Sequence, residues 1–267
     1  MQKFNEYMEY NNKKPLILIT NDDGIHAKGI QSLVEAIKPL GEIVVLAPDG
    51  VRSGMSSAIT AYIPLRVSQL KQEENLTVYS CTGTPVDCVK LAINEILDRK
   101  PDLVISGINH GSNAAICVVY SGTMGAALEG CIFGIPSFGI SLTDHSPNAD
   151  FSETVKYARI IAGKILEEGL PEGVCLNVNV PDRDDIKGMK VCTQTPGRWI
   201  SEFMKSKDAS GKDIYWLTGV FDNFNPGDEN TDEWALNNGY VSIVPSKIDL
   251  TAHHAIEQLK HWEKLAL

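Results

Sequence analysis

The sequence predicts an α/β fold built on a mainly parallel, doubly wound sheet. Short apolar runs, typical of strands buried on both faces, alternate with segments whose apolar residues recur at helical spacing. Each such alternation indicates two parallel strands joined by a right-handed helical crossover. With 267 residues, the chain can form one large domain of this kind or a smaller domain that carries an appendage.

The first strand-helix-strand unit lies near the N-terminus. Residues 16–20 (LILIT) form an apolar run that predicts a buried strand. Helical spacing starts at Ile30 and ends at Gly41, and IVVLA at 43–47 predicts the second strand. Residues 1–14 mix charged and amide side chains, and we expect a polar extension there.

The alternation continues along the middle of the chain. TVYSC at 77–81 predicts a strand, and Thr84, Pro85 and Asp87 suit the N-cap, first and third positions of the helix after it. The elements predicted after that helix are a strand at 103–106, a helix around 123–133, a strand near 138–141, a helix over about 152–168 and a strand at 174–180. We therefore expect the core domain to span residues 15–181.

Residues 182–267 have a different pattern, with short β-like segments joined by long polar loops. The segments MKVCTQT, DIYWLTG and GYVSIVP predict an antiparallel β-hairpin extension, and a C-terminal helix is expected from Thr251 to about Ala266. A two-stranded ribbon of DIYWLTG and GYVSIVP would be marginally stable alone. Exchange of this region between subunits would bury its aromatic residues, so we expect a homodimer or a tetramer. The alternative is that these strands fold back on the core of their own chain.

The composition narrows the possible functions. A formal net charge of -10 argues against a nucleic-acid polymer as partner, because such polymers are bound by clustered Lys and Arg. No apolar run is long enough to predict export or a membrane span. The six cysteines lack disulfide or zinc-site spacing, and we expect a cytoplasmic protein. In an acidic protein, a divalent cation held by carboxylates could supply the positive charge that small phosphorylated substrates need.

Oxygen-rich loops follow two of the early predicted strands. Asn21, Asp22, Asp23 and Gly24 come directly after the first strand, and two such close carboxylates repel each other unless a cation lies between them. An ordinary turn or helix cap is the alternative. The loop PDGVRSGMSS at 48–57 follows the second strand and has the alternative of a plain polar loop; its candidate residues are Ser53, Gly54 and Ser56.

A third such loop, SGINHGSN at 106–113, contains Asn109 and also follows a buried strand. Shortly after it, Ser121, Gly122 and Thr123 open a helix rich in small residues. Backbone N–H groups and hydroxyls at a helix start can bind a phosphate, although a plain N-cap is the alternative.

Taken together, these loops resemble the SurE family, the stationary-phase survival proteins, which are metal-dependent 5'/3'-nucleotidases. The resemblance covers about residues 15–252. The matching stretches are ILITNDDGIHAKGI, APDGVRSGMSSAIT, CTGTPVDCVKLAI, SGINHGSN, YSGTMGAALEG and, more weakly, TDEWALNNGYVSIVPSKIDLT.

The resemblance implies a Rossmann-like core, an extension that exchanges segments between subunits, and one divalent metal ion per subunit, Mg²⁺ or Mn²⁺. The family's metal ligands fall on Asp22, Asp23, Ser53 and Asn109. The chain departs from the family pattern at 114–117, where Ala-Ala-Ile-Cys replaces a Gly-Asp step.

The expected function is therefore hydrolysis of nucleoside 5'-monophosphates, with 3'-monophosphates as a further substrate class. The expected catalytic residues are Asp22, Asp23 and Asn109. Asn21, Gly54, Ser56, Ser121, Gly122 and Thr123 are the expected phosphate-binding residues. His26 and His110 are candidates for acid or base, or else lie beside the site without a chemical role. The alternatives are an aspartyl-phosphate mechanism and a nucleotide-binding regulatory protein without turnover.

Overall fold

A computed structural model describes residues 14–264 of the chain as a large β-sheet flanked by helices, with two small two-stranded sheets. The strands are β1 Leu16–Thr20, β2 Glu42–Pro48, β3 Val67–Glu73, β4 Leu76–Cys81, β5 Leu103–His110, β6 Ser137–Leu142, β7 Val174–Val180, β8 Gly188–Val191, β9 Gly197–Ile200, β10 Phe203–Lys207, β11 Asp213–Leu217, β12 Val220–Asn223 and β13 Tyr240–Lys247. The polar extension expected at the N-terminus lies outside the described residues, except for its last residue.

The helices are α1 Lys28–Ile37, α2 Pro85–Leu91, α3 Gly122–Ile132, α4 Ser152–Glu168, α5 Asp232–Asn237 and α6 His253–Leu259. Thr84 and Asp87 form a capping box at the start of α2, as the sequence predicts. The chain continues from α2 into a π-helical turn at Ala92–Ile96. No helix within the described part of the chain is both long and apolar enough to cross a membrane.

The large sheet has the strand order β3-β4-β2-β1-β5-β6-β7-β13-β8. The six strands from β4 to β7 in this order run parallel to their neighbours. All five residues of β1 are buried, because helices cover the sheet on both faces. The predicted α/β class and doubly wound, mainly parallel sheet are therefore confirmed.

Strand β1 lies between β2 and β5. The order in which the chain adds strands therefore reverses between β1 and β5, although all three strands are parallel. Thr20 at the end of β1 pairs with Ser106 in β5. The loop after β1 and the end of β5 therefore meet at one edge of the sheet, where ligands bind in open sheets of this class.

The ribbon expected from DIYWLTG and GYVSIVP is wrong. Strand β11 pairs with β10 in a separate hairpin, whereas β13 joins the large sheet between β7 and β8. The reason is burial: Val241 and Val244 of β13 pack into the core of the protein, which an isolated two-stranded ribbon would not allow. The helix expected from Thr251 starts at His253, and after Leu259 it becomes a 3-10 turn at Lys260–Lys264.

Candidate functional site

The two acidic residues after β1 lie at the edge of the sheet where β1 and β5 end. Asp22 is 3% exposed, and its Oδ1 accepts a hydrogen bond of 2.5 Å from the hydroxyl of Thr123. Asp23 is half-buried, and its Oδ2 accepts a hydrogen bond of 3.2 Å from the backbone N–H of His110. The two carboxylates are thus held by segments on opposite sides, the start of α3 and the end of β5.

Both carboxyl groups are costly to ionise in this position. Burial raises the pKa of Asp22 to about 6, and the charge of Asp23 adds to this rise, while the hydrogen bond from Thr123 opposes it. Burial also raises the pKa of Asp23, against the effect of the His110 N–H. Within residues 14–264, neither carboxylate has a Lys, Arg or His nitrogen within 4.0 Å.

Two amide side chains at this edge have carbonyl oxygens that accept no hydrogen bond from residues 14–264. The Asn21 Nδ2 donates to the Gly24 carbonyl at 2.9 Å, while its buried Oδ1 accepts no hydrogen bond from the described residues. The Asn109 Nδ2 donates to the carbonyl oxygens of His110 at 3.2 Å and Gly111 at 2.8 Å. Its amide nitrogen is therefore occupied, and Asn109 can offer only Oδ1 to a ligand.

The loop that follows β2 lies beside the Asp22 backbone. The Arg52 N–H donates to the Asp22 carbonyl at 2.7 Å, and the next residue along this loop is the exposed Ser53. Gly54 has φ +73° and Ser56 has φ +53°, so the loop bends sharply after Ser53. The Ser56 hydroxyl donates to the Val119 carbonyl at 2.7 Å, which joins this loop to the segment before α3.

The start of α3 packs directly against Asp22. A side-chain carbon at Gly122 would lie 2.9 Å from the Asp22 Cβ, so this position requires glycine. The Ser121 Oγ accepts a hydrogen bond from the Met124 N–H at 3.1 Å and caps the helix. The Thr123 hydroxyl is directed to Asp22, so it holds a carboxylate in this structure.

The two histidines near the site differ in their surroundings. His26 is exposed, whereas the half-buried His110 ring packs edge-on against Phe151, with ring centres 5.0 Å apart. The backbone of His110, rather than its ring, makes the hydrogen bond to Asp23.

Sequence reasoning missed a buried polar network beneath the site. Asn179 Oδ1 accepts from the Asn113 N–H at 2.8 Å, Asn177 Nδ2 donates to the Asn113 carbonyl at 2.8 Å, and Asn113 Nδ2 donates to Ser141 Oγ at 2.9 Å. These contacts hold the chain after Asn109. The signal was present in VCLNVNV, where two asparagines at alternate positions interrupt an otherwise apolar strand.

A second missed residue is Asp232 at the start of α5, which is wholly buried and accepts a hydrogen bond of 2.8 Å from the Ala115 N–H. The sequence gives little sign of this contact, because 117 positions separate the two residues.

The donor set at this edge fits a hard divalent cation. Two adjacent carboxylates with no Lys, Arg or His nitrogen within 4.0 Å among residues 14–264, an amide whose nitrogen is already bonded and an exposed hydroxyl in the next loop offer oxygen ligands only. Such oxygen ligands suit Mg²⁺, Mn²⁺ or Ca²⁺. A bound cation would also offset the electrostatic cost of ionising Asp22 and Asp23 so close together.

Comparison with known proteins shows similarity along most of the chain. Residues 17–201 match the family model described as "Survival protein SurE". The chain is 54% identical over 252 residues to a protein of Bacteroides fragilis named 5'-nucleotidase SurE, an alignment that covers 94% of this chain and 99% of that protein. A protein of Phocaeicola vulgatus with the same name is 52% identical, with coverages of 94% and 97%.

The fold also matches a solved structure. The crystal structure of the SurE protein from Aquifex aeolicus has a TM-score of 0.80 and 40% sequence identity, and the match covers 94% of this chain and all of that one. The similarity therefore extends over most of the chain, and the chain belongs to the SurE family.

Proposed function

We propose that this protein is a divalent-metal-dependent phosphatase that hydrolyses nucleoside 5'-monophosphates to nucleosides and phosphate. The observation that carries the proposal is the meeting of Asp22 and Asp23 with the start of α3 at the edge of the sheet. This arrangement puts oxygen ligands for a cation beside backbone N–H groups that can bind a phosphate. The name 5'-nucleotidase SurE, carried by relatives about 50% identical, supports the same activity.

The proposed metal ligands are Asp22, Asp23, Ser53 and the Oδ1 of Asn109. When bound, one Mg²⁺ or Mn²⁺ ion per subunit would supply positive charge for the phosphoryl oxygens and for an attacking water. The Thr123 hydroxyl fixes the Asp22 carboxylate in position. Because its nitrogen is occupied, Asn109 acts through its oxygen rather than as a donor to phosphate.

The proposed phosphate-binding group is the first turn of α3, together with the loop after β2. The first N–H groups of a helix have no carbonyl partner within the helix and can donate to an anion. The Ser121 Oγ accepts from Met124, which leaves its hydroxyl hydrogen free to donate. Asn21, Gly54 and Ser56 belong to the loops that enclose this space.

Phosphate release from a panel of substrates tests the proposal. With Mg²⁺ or Mn²⁺ present, we expect phosphate from 5'-AMP and 5'-GMP, and less from a non-nucleoside phosphate ester. Parallel assays with 3'-AMP and 3'-GMP decide whether 3'-monophosphates are substrates as well. Nucleotide binding without phosphate release from any of these compounds would favour the regulatory alternative.

We propose further that the protein acts in the cytoplasm as a homodimer or tetramer, held together by its C-terminal region. The hairpin of β10 and β11 projects exposed apolar side chains: Phe203, Met204, Tyr215, Trp216 and Leu217. The helix α6 and the turn after it expose Ile256, Leu259 and Trp262. These surfaces suit burial against a second subunit, since a lone two-stranded hairpin is marginally stable in water.

Replacement of residues 203–217 by Gly-Ser is expected to reduce the oligomeric mass. The Thr218 N–H donates to the Glu202 carbonyl at 2.7 Å, so the ends of the hairpin are close enough for a short connection. Light scattering should give full-length protein a multiple of 29.2 kDa and the variant a smaller multiple. A full-length mass of one chain would exclude the oligomer, and an unchanged variant would place the interface elsewhere.

Cys117→Ala is expected to keep kcat within about twofold of the wild type, because the proposed chemistry uses no thiol. Cys117 lies in the 3-10 turn Ala115–Val119, and burial raises the pKa of its thiol, which disfavours the reactive thiolate. Steady-state kinetics with 5'-AMP test this prediction. An inactive but folded variant with normal metal binding would show that Cys117 takes part in the reaction.

A further inference from the structure

Asp232 is a buried carboxylate that forms no ion pair within the described part of the chain. Four donors satisfy it instead. Its Oδ2 accepts from the Ala115 N–H at 2.8 Å, while its Oδ1 accepts from the Thr195 hydroxyl and from the N–H groups of Thr195 and Glu233, each at 2.9 Å. Burial of an unpaired carboxylate is unfavourable unless its oxygens are hydrogen-bonded, so these contacts fix three segments around one side chain.

The contact to Ala115 falls at a special backbone position. Ala115 has φ +51°, the left-handed conformation that a residue with a Cβ rarely adopts. Just before it, the Asn113 backbone is held on both sides by Asn177 and Asn179 of β7. The chain therefore enters the 3-10 turn in a direction set by β7 and Asp232 together.

That 3-10 turn, Ala115–Val119, leads directly to the proposed phosphate site. The carbonyls of Val119 and Tyr120 accept hydrogen bonds from the hydroxyl and the N–H of Ser56, at 2.7 Å and 3.1 Å. Two residues beyond Tyr120, Gly122 begins α3 against Asp22. A shift of the turn would move both the start of α3 and the loop after β2.

We propose that Asp232 is a positioning residue, which holds the Ala115–Val119 turn and thereby sets the first turn of α3 and the loop after β2 for phosphate binding. The inference rests on the proposed phosphatase function. It assigns a role at the site to the C-terminal region, which the sequence suggested only for self-association. Asp232 itself does not contact the substrate and acts through the backbone of Ala115.

Asp232→Asn tests this role, because an amide cannot replace both carboxylate oxygens. If the asparagine oxygen accepts the three hydrogen bonds now made to Oδ1, the asparagine NH₂ group faces the Ala115 N–H. Two donors cannot bond to each other, so the Ala115–Val119 turn loses its contact with residue 232. We expect kcat/KM for 5'-AMP to fall at least about tenfold, since small displacements of positioning groups have effects of this size. Inhibition by inorganic phosphate should weaken by a similar factor, and the Mn²⁺ Kd of the protein should change by a smaller one.

Two control variants separate positioning from loss of stability. Thr195→Val removes a hydrogen bond on the far side of Asp232, so it should lower Tm but leave kcat/KM within about twofold. Glu233→Gln changes the neighbouring charge and should leave both kcat/KM and phosphate inhibition unchanged. A folded Asp232→Asn with wild-type kinetics would overturn the proposal, as would an equal loss of activity in Thr195→Val.

Two measurements on the wild-type protein keep the test decisive. If Asp232→Asn does not fold, hydrogen exchange of the Ala115 amide decides: strong protection supports the proposal, and exchange at the rate of an exposed amide overturns it. A wild-type protein that releases no phosphate would remove the proposed function. Titration of the Mn²⁺-loaded wild type and Asp232→Asn with inorganic phosphate would still test positioning, since equal affinities would overturn it.

Discussion

Asp22→Asn is expected to lower kcat for 5'-AMP by about 10²- to 10³-fold, the range for loss of a group that stabilises charge in a transition state. The same change should raise the Tm of the metal-free protein at pH 7.5. Asparagine keeps an oxygen to accept the Thr123 hydrogen bond but removes a buried charge beside Asp23. Phosphate-release kinetics and thermal unfolding after chelation measure the two effects.

The sign of the stability change follows from the raised pKa. Asp22 has a pKa of about 6 in the folded protein, against 3.8 as the ordinary value. A raised carboxyl pKa means that the metal-free fold loses stability as pH rises from about 4 to 6, by about 3 kcal/mol in total. Asp22→Asn should therefore be more stable than the wild type at pH 7.5 and no more stable at pH 4.

Asp98→Asn, which changes an exposed carboxyl group, is the matched control and should leave both kcat and Tm unchanged. Asp23→Asn should also lose most activity, with a smaller gain in Tm because Asp23 is only half-buried. Wild-type turnover in both site variants would exclude the proposed ligand pair. Reduced activity without any stabilisation of metal-free Asp22→Asn would contradict the account of the buried charge.

Mn²⁺ is expected to stabilise the wild-type protein strongly at pH 7.5 and much less at pH 5. At 100 times its Kd, a ligand that binds only the folded state adds about 2.7 kcal/mol to the free energy of unfolding. Because Asp22 has a pKa of about 6, protonation at pH 5 competes with the cation. The apparent Kd should weaken by about tenfold or more between pH 7.5 and 5.

Calorimetric titration and thermal unfolding at the two pH values test this pH dependence. Asp22→Asn serves as the control, since its remaining affinity should depend less on pH. An equal Mn²⁺ Kd at pH 5 and 7.5 would show that Asp22 is not a ligand. An increase in the Tm of Asp22→Asn by Mn²⁺ as large as that of the wild type would also show that Asp22 is not a ligand.

The local parts of the fold could be predicted from the sequence because they depend on local patterns. The runs LILIT and VCLNVNV are strands β1 and β7 with the expected bounds. The capping box of Thr84 and Asp87 and the helix at 152–168 also depend on nearby residues alone.

The non-local parts could not be predicted in the same way. Strand β3 has mostly exposed polar residues and gives no apolar pattern. Nothing in GYVSIVP specifies pairing with β7, whose partner residues lie 63 to 73 positions earlier, rather than with the nearer DIYWL. Strand pairing depends on which edge of the sheet is open, and this is a property of the assembled fold.

The candidate site also has parts that the sequence predicts and parts that only the folded structure shows. The loops after β1 and β5 could be assigned to one edge because parallel strands of a doubly wound sheet place them there. The hydrogen bonds that occupy the Asn109 nitrogen and direct the Thr123 hydroxyl to Asp22 depend on side-chain positions that a sequence does not give. The contact between Asp232 and Ala115 joins two chain segments that only the complete fold brings together.

Metal dependence is tested by phosphate release from 5'-AMP by the purified wild-type protein, first after exhaustive chelation and then after addition of Mn²⁺ or Mg²⁺. We expect no release above background from the chelated protein and recovery of activity when either ion is restored, because Asp22, Asp23, Ser53 and Asn109 are proposed to act through a bound cation. Phosphate release at an undiminished rate after chelation, or none with either metal, would contradict this expectation.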